Sequence, residues 1–548
     1  MKRLLWILIA FTLSAEGVLR AQSSNLSNAQ EALRSKKLEE AIALLREEVQ
    51  RHPGSEEAHY YLGLALWQSG KADEAYPELK LAHEKEAKNG DYLEAFGKLC
   101  VELKKIEEAK AAFNDGLRLK NGKARFLYGL GLAYMGQDSL ERASVFLLKA
   151  REAEPQNALI YRGLAEIYAK QKITSMAIDN YREALKLEPD WSEGHYTLGK
   201  ILQKEKQYND ALAEFKEVVR LDPNHREAYF DLGNLYFAGK KYGEAVTALE
   251  SFVQAQPGSF AGHVLLAKAR YATRQPVAAI AATEKAVALN PESAEALRFL
   301  ANLYYDTRAY EHAAATYERF AHSAKNGEAQ AEDFVKWGRS LMRLKQNAAA
   351  VAQLEKAVSM DSTLADVYFD LGTLLVMEKR YAQAIPCFDK KIRADATASG
   401  AHFNQGIAYI GLSDWQGAIR ALKRGLQLKP DHMEGRLALA RSFAQVDSNL
   451  QAEAQYEEVL KLEPKHAEAL KQVGYYNLIR KNYAKAVSYL RKHVELEPKS
   501  EYGWLWLAQG SALNRQIHEA KAAYQKVLQI NPKNADAQKG LELLEQYE

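Results

Sequence analysis

Residues 226–257 read REAYFDLGNLYFAGKKYGEAVTALESFVQAQP, and this stretch decides the fold. In each half the apolar residues recur three and four apart, which predicts two amphipathic helices of roughly 14 residues. Between the halves, Ala238-Gly239-Lys240 interrupts the periodicity and reads as a tight turn from one helix to the next. Gly233 and Ala245 stand where the two helices would cross, and small residues there let the backbones approach. A glycine inside a helix costs about 0.5–1 kcal/mol relative to alanine, so its use calls for a packing reason of this kind. Pro257 then stops the second helix.

With Arg226 counted as position 1, the same design extends in both directions. Pro155, Pro189, Pro223, Pro257 and Pro291 follow one another at intervals of 34 residues, and so do Pro430, Pro464, Pro498 and Pro532. Pro53 is in register with the first series, with Ala87 and Asn121 in the slots between, and Ser362 and Ala396 precede Pro430. Position 8 is small from Gly63 to Ala508, and position 20 is alanine from Ala75 to Ala520. The register slips once, by three residues, within 321–331.

A 34-residue period with these signature positions is similar to the tetratricopeptide repeat. The resemblance covers nearly the whole chain after its first residues, in fifteen copies from about Gln22 to Pro532, of which the first, third and tenth are the most degenerate. A last helical stretch, residues 535–547 (ADAQKGLELLEQY), reads as a cap over the final apolar face. The fold implied is all-α: a right-handed superhelical solenoid of antiparallel helix hairpins with a C-terminal capping helix. The expected organisation is a leader at 1–21, a first block of about nine repeats at 22–321 and an irregular insert or hinge at 322–330. A second block of about six repeats follows at 331–532, and the cap occupies 533–548.

The leader has its own signature. Lys2 and Arg3 precede an apolar run at 4–13 (LLWILIAFTL), and the polar stretch after it ends in Leu19-Arg20-Ala21. A basic start, a short apolar core and a terminal small residue fit a secretory signal peptide. Ten residues rise only about 15 Å as a helix, too little to cross a bilayer core. Export to a bacterial periplasm or beyond is therefore expected, with no transmembrane segment in the mature chain. The net charge of +3 becomes +1 once residues 1–21 are removed, which argues against a nucleic-acid partner. Cys100 and Cys387 fall in different repeats and read as two buried, small apolar residues.

No catalytic, cofactor or metal site is expected. The repeats leave no room for a catalytic domain. His59, His195, His263 and His402 all fall at position 4, one or more whole repeats apart, and read as packing residues. Gly129-x-Gly131 is a fragment of repeat packing, not of a phosphate loop, and carboxylate pairs on solvated helix faces carry no information.

In the family, the first helix of each hairpin lines the concave surface. Position 5 there is aromatic in Tyr60, Tyr128, Tyr196, Phe230, Phe369 and Phe403, and position 12 in Trp67, Phe237, Tyr271 and Tyr305. Position 9 carries Lys200, Lys268, Arg339 and Arg441, with Asn234 and Asn302, and Arg298 stands at position 5. Aromatic anchors with cationic handles suit a peptide bearing acidic groups. The plainer account is that the aromatics pack between neighbouring hairpins. A carboxylate clamp of the kind some family members use begins with Arg298 and Asn302. It is then broken, because Lys336 replaces an asparagine and Asp366 and Asp370 reverse the sign of two basic positions. The expected function is a non-catalytic scaffold or adaptor for protein or peptide partners. The alternatives are an accessory protein for polysaccharide or protein export and assembly in the cell envelope, or a substrate-recognition module of a larger enzyme complex.

Overall fold

The computed structural model describes residues 24–325 and 327–545, and the leader expected at 1–21 lies outside them. Among the described residues there are 31 helices and no strand. The first thirty pair in order as fifteen hairpins, from Ser24–Arg34 with Leu38–Arg51 to Glu501–Leu513 with Ile517–Ile530. Ala535–Glu545 follows as a cap and buries Ala537 and Leu544 against the last hairpin. The chain forms two compact units, Met1–Pro257 and Gly258–Glu548. Helices through Tyr242–Ala255 belong to the first, and those from Phe260–Ala272 onward to the second.

The crossing inside each hairpin explains the small residue at position 8. A Cβ on Gly63 would stand 2.6 Å from Leu79, on Gly199 2.7 Å from Phe215, and on Gly406 2.6 Å from Leu422. In each case the obstructing side chain is position 24, on the second helix. The two positions vary together along the chain. Glycine faces Leu or Phe, as in Gly233 and Leu249 or Gly372 and Phe388. Alanine faces a hydroxyl-bearing residue: Ala165 and Tyr181, Ala267 and Thr283, Ala301 and Tyr317, Ala440 and Tyr456, Ala508 and Tyr524. The first hairpin, with Ala29 and Leu45, departs from this. A buried tyrosine needs a partner for its hydroxyl, and Tyr317 finds one by donating to Asn302 Oδ1 at 2.9 Å, at position 9 of its own hairpin.

Position 15 closes the turn within each hairpin, and it takes the left-handed conformation in all fifteen. Only Gly70 is a glycine; the other fourteen, Lys36 to Arg515, carry side chains at φ of 54–63°. In the stretch that decides the fold, Gly239 has φ −77° and Lys240 has φ +58°, so the lysine and not the glycine makes the turn.

Hairpins are joined by a recurring latch at position 4. The side chain there reaches back to the carbonyl of the position-32 proline before it. His59 does so at 3.2 Å from Pro53 and His195 at 3.0 Å from Pro189. Tyr161 donates to Pro155 at 3.0 Å, Arg436 to Pro430 at 2.9 Å, and Trp504 to Pro498 at 2.9 Å. The two histidines also bind position 23 of their own second helix, through Glu78 at 2.5 Å and Glu214 at 2.6 Å. Hydrogen bonds of this kind satisfy a carbonyl that the proline leaves outside any helix ladder.

The register slip lies inside the second unit and is confined to a loop. Four residues, 222–225, separate Leu221 from Arg226, whereas seven, 324–330, separate Ser323 from Ala331. The three extra residues therefore leave both flanking helices at full length. Gln330 and Asp333 form a capping box that starts the next helix. Asp333 is 3% exposed and also accepts from Arg298 Nε at 2.7 Å. Cys100 and Cys387 are buried, unpaired thiols, and burial pushes them up to about 12 and about 11 respectively.

Candidate binding face of the first helices

The expected aromatic row at position 5 is spent on packing, partly at the joints between hairpins and partly within them. Tyr60 is buried with its ring 4.5 Å from Tyr92 of the next first helix. Phe403 is buried and stacks on His432 at 4.0 Å. Tyr196 lies 4.4 Å from His225 and donates to Asp231 at 3.2 Å. Burial and the neighbouring Asp231 carboxylate together raise its phenol pKa. Phe230 packs on Phe252 at 4.9 Å and Phe369 on Phe388 at 6.3 Å, both within their own hairpins. Tyr128 is half-buried, and burial raises its pKa.

Position 12 is more open. Trp67 donates to Glu102 at 2.7 Å and Tyr271 to Asp306 at 2.8 Å, each reaching the following first helix. Tyr271 remains 44% exposed. Phe237 and Tyr305 are half-buried and stand edge-on to Tyr242 and Tyr310.

The cations of this face are not free handles. Lys200 donates to both oxygens of Asp231, at 2.9 and 3.0 Å. Lys268 donates to Glu295 at 2.6 Å, Arg339 to Asp370 at 2.8 Å and Arg441 to Glu468 at 2.8 Å. Every one of these acids lies at position 2 or 6 of the next first helix, so the row is a ladder of ion pairs between repeats. Hydrogen bonding to Arg441 holds the Glu468 carboxyl below the usual range. Arg298 is shared between Asp333 and Gln330, the latter at 2.6 Å. Asn302 accepts from Tyr317 and from Lys336, both at 2.9 Å. The remnants of a carboxylate clamp are thus bonded within the protein. Asn234 is exposed.

The sequence reading missed an aromatic group on the same face at the far end of the second unit. Tyr475 at position 9, Tyr502 at position 2 and Trp506 at position 6 come together, with Tyr475 and Tyr502 at 4.4 and 5.8 Å from the Trp506 ring. Tyr502 is 63% exposed. The signal is in the sequence, since three large aromatics fall on positions 9, 2 and 6 of two successive repeats, but it lies outside the aromatic rows at positions 5 and 12.

Among the described residues no group of three or more His, Cys, Asp or Glu could hold a metal ion, and no helix is long and apolar enough to cross a membrane.

No curated protein matches the chain in sequence. Among solved structures, YrrB, a TPR protein with an unusual peptide-binding site, is 22% identical, with TM-score 0.32, covering 35% of this chain and 96% of its own. The C-terminal part of a TPR repeat-containing protein from Cytophaga hutchinsonii is 23% identical, with TM-score 0.32, covering 52% and 99%. The APC/C hetero-tetramer Cut9-Hcn1 is 15% identical, with TM-score 0.31, covering 83% and 97%. The tetratricopeptide repeat family models match residues 26–91, 196–260, 264–329, 335–399, 403–446, 437–501 and 504–534. With more than half of its residues matched and fifteen hairpins of this design, the chain belongs to the tetratricopeptide repeat family, whose members generally mediate protein–protein interaction and are typically not catalysts.

Proposed function

We propose that this chain is an exported scaffold or adaptor that binds protein or peptide partners along the face of its first helices. The observation that carries the reading is the aromatic group in which exposed Tyr502 stands beside the half-buried rings of Tyr475 and Trp506. Large, rigid aromatic side chains supply much contact area at small entropic cost and dominate the energetics of interfaces. Because Lys200, Lys268, Arg339 and Arg441 are already paired, recognition rests on apolar and aromatic anchors rather than on free positive charge. The leader at 1–21 supports export, and its removal leaves a chain that begins near Gln22.

Selection of a random-peptide library on the immobilised chain tests the reading. Peptides that bind the chain are expected to lose about thirtyfold in affinity on the Tyr502→Ala, Trp506→Ala double variant, in keeping with two interface anchors. Equal affinity for the folded variant would move the site away from this group. Mass spectrometry of the secreted or periplasmic fraction tests export, with an N-terminus at Gln22 expected. Retention of residues 1–21 in a cytosolic product would overturn that part.

A further inference from the structure

The turn edge of the hairpins carries a second row of cations that neither the fold nor the first-helix face uses. At position 15 eleven of the fifteen residues are Lys or Arg, and all eleven are exposed. Among the described residues, none of them has an ion pair, a side-chain hydrogen bond or a ring partner. Each sits in the left-handed region, which costs an ordinary residue about 1–2 kcal/mol and glycine almost nothing. A cation just past the C-terminus of the first helix recovers about 0.3–1 kcal/mol from the helix dipole. That gain offsets only part of the strain, so local stability does not account for the choice.

A second observation falls on the same edge. Of the exposed large apolar side chains, Ile173, Met176, Tyr208, Val277, Met377, Leu412, Leu450, Ile479 and Leu513 all lie between positions 13 and 19. The two features coincide most closely in repeats five to seven, within the first unit. Positions 13–19 of these three repeats hold six lysines, including Lys172, Lys206 and Lys240, against three carboxylates. One of those carboxylates, Asp210, is held by Arg182 at 3.0 Å. Ile173, Met176 and Tyr208 are 40, 45 and 52% exposed between the lysines.

We infer that the turn edge of repeats five to seven docks on an anionic lipid surface. The lysines meet the headgroup anions, and Ile173, Met176 and Tyr208 enter the boundary between headgroups and acyl chains. A surface of negative charge attracts each cation that stands within a Debye length, and apolar side chains add affinity only where they leave water. A soluble polyanion satisfies the lysines but gives the aliphatic and aromatic side chains nothing to enter. Charge and apolar exposure together therefore point to lipid.

The test is sedimentation of the chain from Gln22 onward, which contains every described helix, with vesicles. One set mixes phosphatidylglycerol with phosphatidylcholine, and the other is phosphatidylcholine alone. Binding to the mixed vesicles and not to the neutral ones is expected. The variant Lys172→Gly, Lys206→Gly, Lys240→Gly removes three charges and the backbone strain at once, so it folds at least as well as the parent. Its partitioning should fall about fivefold for each cation lost, or about a hundredfold in all. A second variant, Ile173→Ser with Tyr208→Ser, keeps the charge and should also lose binding. Parent chain that ignores mixed vesicles, or a glycine variant that binds them as well as the parent, overturns the inference. So does an unchanged Ile173→Ser, Tyr208→Ser variant whose binding soluble polyphosphate abolishes, since the edge would then serve a polyanion.

Discussion

Two rows of positive charge run through the repeats, one on the face of the first helices and one along the hairpin turns, and they are built on opposite plans. On the first-helix face Lys200, Lys268, Arg298, Arg339 and Arg441 each reach across to an acid of the following repeat. Their charge is consumed in holding neighbours together. At the turns Lys172, Lys206 and Lys240 stand in a strained backbone conformation and touch no acid. A side chain that bridges repeats tells how the array is assembled, while one kept unpaired in a strained position marks a surface available to something else.

The largest effect that would break this contrast is expected at Asp333, which is nearly fully buried and holds both Arg298 and the start of its helix. Asp333→Ala should cost about 3 kcal/mol by leaving a partly buried guanidinium unpaired and removing a cap. Faster amide exchange throughout Ala331–Arg343 reads the loss. At the turns the sign reverses. Lys240→Gly should stabilise the protein by about 1 kcal/mol, seen as a higher urea midpoint, because the strain removed exceeds the helix-dipole gain that is lost. A drop in the midpoint would mean that the lysine has a structural partner. Lys268→Met removes an exposed pair and should change stability by no more than about 0.5 kcal/mol, a value that, if matched by Asp333→Ala, would erase the distinction between buried and exposed rungs.

Smallest of all is a pair of histidine titrations at position 4, one at the latch residue His195 and one at His402. Burial alone would lower the pKa of His195, but hydrogen bonds to Glu214 and to the Pro189 carbonyl outweigh it and raise the value above 6.5. His402 is lowered below 6.5, chiefly by burial. The stability that protonated His195 contributes is present in full below 6.5 and is lost as pH rises through its folded value. That contributed by neutral His402 is present above 6.5 and is lost as pH falls through its folded value. NMR titration should place the two transitions on opposite sides of 6.5, and Glu214→Gln should bring His195 down while leaving His402 unmoved.

The period made the fold legible, because a 34-residue recurrence of Pro257 and its counterparts fixes where helices stop and small residues fix where they cross. The three-residue slip was legible too, as was the packing role of the position-4 histidines. The binding face was harder. Position alone told that Lys200 or Arg441 lines the first-helix face, but not that an acid 27–31 residues later stands within hydrogen-bond reach. That depends on the offset between stacked helices, which no single repeat encodes. The turn at Ala238-Gly239-Lys240 was legible, but which of its residues takes the left-handed conformation was not: glycine is the default there, and the backbone places Lys240 in it.

The pairing of position 8 with position 24 bears on how such an array can change over generations. Duplication or exchange of a whole hairpin carries Gly406 with Leu422, or Ala440 with Tyr456, and the crossing arrives intact. Recombination between the two helices does not. Joining the first helix of one class to the second helix of the other sets an alanine methyl against a leucine, a crossing found here only in the first hairpin with Ala29 and Leu45, or a glycine beneath a tyrosine shaped for an alanine. The heritable module of this protein is therefore the hairpin together with its inner turn, and viable chimeras are those spliced in the loops between hairpins, where the chain has already absorbed three extra residues.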